Sequence, residues 1–87
     1  MEKLVKVLSE SGLHARPAAI LVKTAAQFNS AINIEFNGSS LNAKSIMNIL
    51  SLGLKKGDEM KIIVNGEDEE EAMETLVKLI ESNFDEA

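Results

Sequence analysis

Three segments of the chain alternate apolar and polar residues with a period of two, and this pattern constrains the fold more than any other feature. The alternating apolar residues are Val5 and Val7, then Ile32, Ile34 and Phe36, then Met60, Ile62 and Val64. A period of two is typical of strands that bury one face. Asn37-Gly38 is a strong hairpin signal after the second segment. The sequence therefore predicts strands at about 3–8, 32–36, 40–43 and 60–64.

Helical spacing of apolar residues fills the intervals between these strands. Pro17 is tolerated only in the first turn of a helix, so the first helix should begin at about Ala15 or Arg16. Its apolar residues keep helical spacing to about Phe28. Ser45 can cap a short second helix that runs to about Leu52.

A third helix is predicted near the end of the chain. Asp68 with Glu71 three residues later forms a capping-box-like start, and the acidic residues beside them suit the positive end of the helix dipole. The apolar residues of this helix are Ala72, Met73, Leu76, Val77, Ile80 and Phe84. The predicted order is β-α-β-β-α-β-α. We expect an α+β fold, an open-faced β-sandwich in which three helices cover one face of a four-stranded antiparallel sheet, as a single domain over 1–87.

Composition excludes several classes of function. The chain has 87 residues, no Cys and one His, so neither a thiolate nor a multi-histidine metal site can form, and we expect no metal and no cofactor. Trp and Tyr are absent and there is no basic stripe, so nucleic-acid binding is not expected. No apolar run approaches the ~18 residues that span a bilayer, and no signal-peptide pattern is present. We expect a cytoplasmic protein without membrane insertion.

The only His, the only Arg and the only Pro lie within four positions, as His14, Arg16 and Pro17. A helix N-terminus binds phosphate through its free N–H groups, and a guanidinium offers forked donors to phosphoryl oxygens. Beside a nucleophilic imidazole, these features favour a histidine phosphorylation site. A solvated cap histidine next to a surface arginine remains the alternative. No acid–base partner lies near in sequence, so a hydrolase triad is poorly supported.

Three segments resemble the HPr family of phosphocarrier proteins, which belong to the phosphoenolpyruvate-dependent sugar phosphotransferase system. The run Gly12-Leu13-His14-Ala15-Arg16-Pro17-Ala18-Ala19 is similar to the active-site signature of that family. The run Asn42-Ala43-Lys44-Ser45-Ile46-Met47, followed by Leu52-Gly53, resembles the regulatory region of its Gram-positive members. The third match is Gly66-Glu67-Asp68-Glu69-Glu70-Glu71-Ala72. The resemblance covers essentially the whole chain.

This resemblance implies a role for the first segment. His14 would accept a phosphoryl group on Nδ1 from phosphorylated enzyme I and pass it to the enzyme II A domains of sugar transporters. Arg16 would neutralise phosphoryl charge. A phosphate cradle would be formed by Ala15, Arg16, Pro17 and Ala18, although Pro17 supplies no N–H. The protein would then be a stoichiometric carrier and not an enzyme.

The resemblance also implies regulation through Ser45. This residue matches the serine that HPr kinase/phosphorylase modifies, and the phosphorylated form would bind a catabolite-control transcription factor. A purely structural helix cap is the alternative, and both roles are compatible. Asn48 departs from the glycine that Gram-positive relatives often carry, which could alter docking or kinase recognition.

By the same resemblance, Ile46, Met47 and Leu50 would dock enzyme I and the enzyme II A domains, with Lys23 attracting acidic partners. The alternative is core packing, which we expect instead for Ile49 and Leu52. We expect a monomer.

Two other functions remain open. One is a purely regulatory HPr-like module that acts on a transcription factor through phospho-Ser45; such paralogues typically lack the histidine, so His14 argues against it. The other is a nitrogen-branch phosphocarrier, which the segment 44–47 disfavours. Ala15, in place of a hydroxyl residue, favours the Gram-positive type over the enteric type.

Overall fold

The computed structural model describes residues 1–84 and contains seven elements in the predicted order. They are β1 (Glu2–Lys6), α1 (Ala15–Ala25), β2 (Ala31–Phe36), β3 (Ser39–Asn42), α2 (Ile46–Ser51), β4 (Glu59–Asn65) and α3 (Glu69–Glu81). The strands form one antiparallel sheet in the order β1-β4-β2-β3. The α+β class and the sheet of four antiparallel strands with three helices are confirmed. No helix within residues 1–84 is long and apolar enough to cross a membrane.

The core lies between the sheet and the helices because alternate strand residues point to one face. Val5 pairs with Met60 across β1 and β4, and Ile34 pairs with Ile62 across β2 and β4; all four are buried. The helices contribute further buried side chains, among them Leu21, Ile49 and Leu76. A sheet with one buried face produces the alternation that the sequence shows.

The opposite face of the sheet is mostly polar and is not covered by a helix. Lys61 lies at its centre, with its Nζ 3.5 Å from a carboxylate oxygen of Glu2 and 3.6 Å from one of Glu35. These residues belong to β1, β4 and β2, so opposite charges meet across neighbouring strands. No helix is needed on this side.

The β2–β3 hairpin confirms the turn predicted at Asn37-Gly38. Both residues have positive φ, 53° and 86°. Two successive positive φ angles suit the right-handed twist of the flanking strands. The strand boundaries differ from the predicted ones by one or two residues: β1 ends at Lys6 instead of Leu8, and β3 is Ser39–Asn42 instead of 40–43.

The first helix ends earlier than its apolar spacing predicts. α1 stops at Ala25, and Phe28 lies beyond it, although its side chain is buried. The N–H of Gln27 donates to the Thr24 carbonyl and that of Phe28 to the Ala25 carbonyl, at 3.1 and 3.2 Å. These bonds span three residues and not four, so the chain tightens into a turn that still delivers the Phe28 side chain to the core.

The predicted capping box at the start of α3 is wrong. Asp68 is the N-cap residue, but its side chain makes no capping hydrogen bond. Its carboxylate instead accepts from the backbone N–H groups of Asn29 and Ser30, at 2.8 and 2.9 Å, and from the Ser30 hydroxyl. The carboxylate that reaches back along the chain is that of Glu69, which accepts from the Gly66 N–H at 3.1 Å. Asp68 therefore joins two distant segments of chain.

Candidate functional site

His14 is the N-cap residue of α1, and its imidazole is exposed. Its backbone is extended (φ −82°, ψ −170°), and its carbonyl accepts the first helical hydrogen bond from the Ala18 N–H at 3.0 Å. The imidazole makes no capping hydrogen bond. A side chain that takes no part in capping the helix is available to a partner that approaches from solvent.

The loop before His14 is held against the segment between α2 and β4. The Leu13 N–H donates to the Leu54 carbonyl at 3.0 Å, and both side chains are buried. Gly12 has a φ of +71°, and a Cβ at this position would overlap the Leu54 carbonyl oxygen. Only glycine fits such a close backbone approach. The position of His14 is therefore set from both sides, by the helix that follows and by the packed loop that precedes.

An ion pair joins the same two loops at the surface. Lys56 Nζ lies 2.6 Å from a carboxylate oxygen of Glu10. The hydrogen bond and the charge of Lys56 lower the pKa of Glu10 from its ordinary value. Both side chains are exposed, so this pair contributes little to stability. It links the loop before α1 to the loop before β4 at the surface.

The start of α1 offers two free backbone donors. The N–H groups of Ala15 and Arg16 have no acceptor within the helix, as at any helix N-terminus. Pro17 has no N–H, and the Ala18 N–H already donates to the His14 carbonyl. Of the four residues predicted to form the phosphate cradle, Ala15 and Arg16 therefore offer a free backbone N–H group. No acidic residue lies in the first turn of α1 to neutralise its positive end.

The Arg16 guanidinium is free to meet an anion. The side chain is exposed, and within residues 1–84 it forms no ion pair. Its position two residues after His14 places a permanent cation in the same turn as the free N–H groups. Together these groups can bind the oxygens of a phosphoryl group carried on the imidazole.

Ser45 caps α2 inside a small network of polar residues. Its hydroxyl accepts from the Asn48 N–H at 3.4 Å, and the Asn48 side-chain amide donates to the Asn42 carbonyl at 3.3 Å. The Asn42 side chain accepts from the Lys44 N–H at 2.8 Å, and Lys44 Nζ donates to the Phe28 carbonyl at 2.7 Å. The loop that presents Ser45 is thereby tied both to α2 and to the end of α1.

The two faces of α2 differ sharply. Ile49 is fully buried and Leu52 packs against the core, as predicted. Ile46, Met47 and Leu50, called the α2 patch below, are 37%, 71% and 37% exposed. Lys23 is exposed in the last turn of α1, and α1 contacts α2. The structure thus leaves a group of apolar side chains at the surface of a helix that packs against the helix beginning at His14.

Sequence reasoning placed Gly12 and Asn42 in the runs that match the family but did not predict the contacts by which they support these sites. Asn42 follows the asparagine pattern in which a side-chain oxygen bonds the N–H two residues later, so its spacing to Lys44 was an available signal. The contact of Gly12 with Leu54 had none, because it joins segments about forty residues apart. Among residues 1–84, no group of three or more His, Asp or Glu side chains is arranged to hold a metal ion.

Comparison with known proteins identifies the family. The model of a family described as the PTS HPr component phosphorylation site matches residues 1–82. The chain belongs to the PTS HPr family. The HPr-like protein Crh of Halalkalibacterium halodurans is 48% identical over 81 residues, which cover 93% of this chain and 96% of Crh.

Solved structures of HPr-family proteins share the fold. HPr from Thermoanaerobacter tengcongensis superposes with a TM-score of 0.96 at 48% identity, covering 100% of this chain and 98% of that chain. The catabolite repression protein Crh of Bacillus subtilis, described as a dimer with a swapped domain, superposes with a TM-score of 0.77 at 44% identity, covering 90% of each chain. The HPr family thus includes both phosphocarriers and Crh proteins similar to this chain.

Proposed function

We propose that this protein is a phosphocarrier of the phosphotransferase system, with His14 as the phosphoryl acceptor. The observation that carries the proposal is the placement of the His14 imidazole at the start of α1, where it is exposed and makes no capping hydrogen bond. It lies beside two free N–H groups and the guanidinium of Arg16. The donor is the phosphohistidine of enzyme I and the acceptor is an enzyme II A domain. In each transfer one P–N bond breaks as another bond to phosphorus forms, so the protein is a stoichiometric carrier and not an enzyme.

The geometry supports reversible transfer. Negative charge on the phosphoryl oxygens meets the N–H groups of Ala15 and Arg16 and the Arg16 side chain, which stabilise it electrostatically. The attacking atom would be Nδ1 of His14. All of these groups are exposed, so the phosphorylated imidazole stays within reach of an incoming acceptor. A monomer suffices for the transfer, because one chain supplies the imidazole, the cradle and the α2 patch.

The α2 patch supplies the surface for docking. Enzyme I and the enzyme II A domains would both cover Ile46, Met47 and Leu50, since flexible apolar side chains suit a surface that several partners use in turn. Lys23 would accelerate association with acidic partners more than it tightens binding. A protein that serves these partners works in the cytoplasm.

Ser45 is the proposed regulatory site. Ser45 is half-buried, and its hydroxyl accepts one long hydrogen bond from the Asn48 N–H. The nearest lysine along the chain, Lys44, donates to the Phe28 carbonyl. Phosphorylation by HPr kinase/phosphorylase would add a charge of about −1.5 to −2 beside the α2 patch. That charge would weaken docking of acidic partners and create the surface that a catabolite-control transcription factor binds.

Similarity to Crh favours a second candidate function. Two Crh proteins, one described as a catabolite repression protein, are 48% and 44% identical to this chain. A purely regulatory module would need Ser45 and the α2 patch but no reactive imidazole. The observation that favours the carrier over this module is the presence of His14 beside the free N–H groups of Ala15 and Arg16.

Phosphorylation by enzyme I separates the two functions. Incubated with enzyme I and phosphoenolpyruvate, the protein should gain one acid-labile phosphate, measured by intact mass before and after acid treatment. His14→Ala should gain none and should melt at an unchanged temperature, because the imidazole makes no capping bond. A folded wild-type protein that acquires no phosphate would sink the carrier proposal and leave the regulatory module.

Phosphorylation with ATP tests Ser45. The kinase should add an acid-stable phosphate to the wild type and to Ser51→Ala, and none to Ser45→Ala. Ser51 is the matched control, since it is an exposed serine of α2 with a hydroxyl bonded to the Asn48 carbonyl. Equal modification of all three proteins would place the regulatory phosphate elsewhere.

A further inference from the structure

The side chains of this chain that peroxides oxidise most readily are its methionines. There are four Met and no Cys, so thioethers and not thiols are the reactive sulfur groups. Met60 is fully buried and Met73 is 6% exposed, whereas Met47 is 71% exposed and Met1 46% exposed. A peroxide therefore reaches Met47 and Met1 in the folded protein, and it reaches the other two sulfur atoms only when the fold opens.

The two exposed methionines belong to different surfaces. Met1 and Val64 exchange backbone hydrogen bonds at 2.8 Å, and the Met1 side chain lines a groove beside α3. Met47 lies in the first turn of α2, where it is the most exposed member of the α2 patch. Oxidation of Met47 thus changes the apolar surface of α2, and oxidation of Met1 does not.

The polar side chains beside Met47 are already bonded within the chain. Lys44 lies three residues before it and donates through Nζ to a backbone carbonyl beyond the end of α1, at 2.7 Å. The side-chain amide of Asn48 donates to the carbonyl of the last residue of β3 at 3.3 Å, and the Ser51 hydroxyl donates to the Asn48 carbonyl at 2.7 Å. A sulfoxide oxygen at residue 47 would therefore be hydrogen-bonded by water, and a partner that covers the α2 patch would remove that water.

We propose that Met47 is a reversible oxidation site through which peroxide weakens docking at the α2 patch. The sulfur atom of Met47 gives an electron pair to one oxygen of hydrogen peroxide, the O–O bond breaks, an S–O bond forms and water leaves. A methionine sulfoxide reductase restores the thioether and releases water while two thiols are oxidised to a disulfide. The effect on docking rests on the proposed function, whereas the oxidation itself does not.

The sulfoxide should affect docking and leave both the fold and the chemistry of His14 intact. In the free protein the new oxygen lies in water, so the melting temperature should fall by less than about 4 °C. In the complex the same oxygen loses its water, so the KM for phosphorylation by enzyme I should rise about tenfold or more. The groups that hold the phosphoryl group are unchanged, so kcat should persist at saturating protein concentration.

Peptide mapping tests the oxidation site without any partner. The folded protein is treated with dilute hydrogen peroxide, quenched with catalase at intervals and digested, and the gain of one oxygen atom is followed at each methionine. Met47 should oxidise about tenfold or more faster than Met60 and Met73. The same treatment in concentrated urea, where all four should react at similar rates, is the control. Equal rates at Met47, Met60 and Met73 in the folded protein would overturn the proposal.

Kinetics with enzyme I and phosphoenolpyruvate test the effect on docking. The KM should rise after peroxide treatment and return to its original value after treatment with the reductase and dithiothreitol. Met47→Leu is the matched control, because it retains Met1 but has no sulfur atom in the α2 patch; peroxide should leave its KM at the value of the untreated variant. Circular dichroism verifies that each sample is folded.

Two results in this assay would overturn the proposal. One is an unchanged KM of the wild type after Met47 is fully oxidised, and the other is an equal rise in KM for peroxide-treated Met47→Leu. Failure of the proposed function gives a different result, since enzyme I would then phosphorylate neither the untreated nor the oxidised protein. In that case the effect on docking is refuted as well, and the peptide masses alone decide whether Met47 is the oxidation site.

Discussion

At the scale of single residues, His14 and Arg16 have different roles in the proposed phosphoryl transfer, and both roles follow from their placement. His14 ends an extended segment and begins a helix, so its carbonyl serves the helix while its imidazole stays free. Arg16 lies in the first turn, without an ion pair among the described residues. The imidazole can be the reacting group, and the guanidinium can only stabilise what the imidazole carries.

Replacing Arg16 should slow phosphoryl transfer without abolishing it. A hydrogen bond to a charged group contributes about 1.5–3 kcal/mol, so Arg16→Ala should lower the transfer rate about 10- to 150-fold. The transfer rate of Arg16→Lys should lie between those of the wild type and Arg16→Ala, because lysine keeps the charge but lacks the forked donors. Rapid-quench measurement of transfer from enzyme I provides the rates. An unchanged rate in Arg16→Ala would remove Arg16 from the site.

Gly12 acts on the site through the backbone. Gly12→Ala forces a side chain into left-handed φ and into the Leu54 carbonyl, whereas Gly53→Ala has a similar φ of +64° and no atom within 4 Å of its Cβ. Gly53→Ala should cost about 1–2 kcal/mol of unfolding free energy, and Gly12→Ala more, with slower phosphorylation of His14. Urea unfolding measures both. Equal losses in the two variants would show that the Leu54 contact is unimportant.

At the scale of elements, α2 combines a buried face with the surface that we propose for docking. Its buried face holds Ile49, and its exposed face holds the α2 patch. The spacing of apolar residues alone cannot distinguish these faces in a helix of six residues, since four of the six are apolar and lie on both faces. The family resemblance made that distinction, and the observed exposures agree with it.

A pair of substitutions in α2 should separate its contribution to stability from its proposed contribution to docking. Ile49→Ala should lower the unfolding free energy by about 2–5 kcal/mol because it empties a filled core position. Met47→Ala should change it by less than about 0.5 kcal/mol while weakening the complex with enzyme I. Chemical unfolding and calorimetric titration give the two quantities. A stable complex of Met47→Ala at wild-type affinity would contradict the docking role.

At the scale of the whole molecule, Asp68 connects the start of α3 to the turn between α1 and β2. Hydrogen bonds from the Ser30 hydroxyl and from the Asn29 and Ser30 N–H groups lower the pKa of Asp68 from its ordinary value. The folded protein therefore prefers the ionised carboxylate. This contribution to stability is complete above the unfolded-state pKa of about 3.9 and is lost as the pH falls through the lower folded-state value.

Acid unfolding should reveal this contribution. The difference in unfolding free energy between wild type and Asp68→Asn should be largest above about pH 5 and should shrink as the pH falls toward 2. Glu71→Gln is the control, since this exposed carboxylate of the same helical turn has no bond to the α1–β2 turn. A difference between wild type and Asp68→Asn that stays constant over this pH range would contradict the linkage.

Local patterns in the sequence predict the local structure, but they do not predict contacts between residues that lie far apart in the sequence. Pro17 marked the start of α1, Asn37-Gly38 marked the hairpin, and alternation marked the strands. The hydrogen bonds of Asp68 join residues that lie 38 and 39 positions apart in the sequence, so no rule of local spacing predicts them. Local spacing instead assigned Asp68 to a capping box. The apolar spacing predicts the end of α1 about three residues too late, because Phe28 is buried by a turn and not by a continued helix.

Onward transfer tests the phosphocarrier account most directly. The protein is phosphorylated by enzyme I and phosphoenolpyruvate, separated from both, and mixed with an enzyme II A domain alone. We predict that the phosphate leaves His14 and appears on the enzyme II A domain, with the unmodified protein regenerated in equal amount. Phosphate that remains on the protein, or that is released only as inorganic phosphate, would contradict the carrier role.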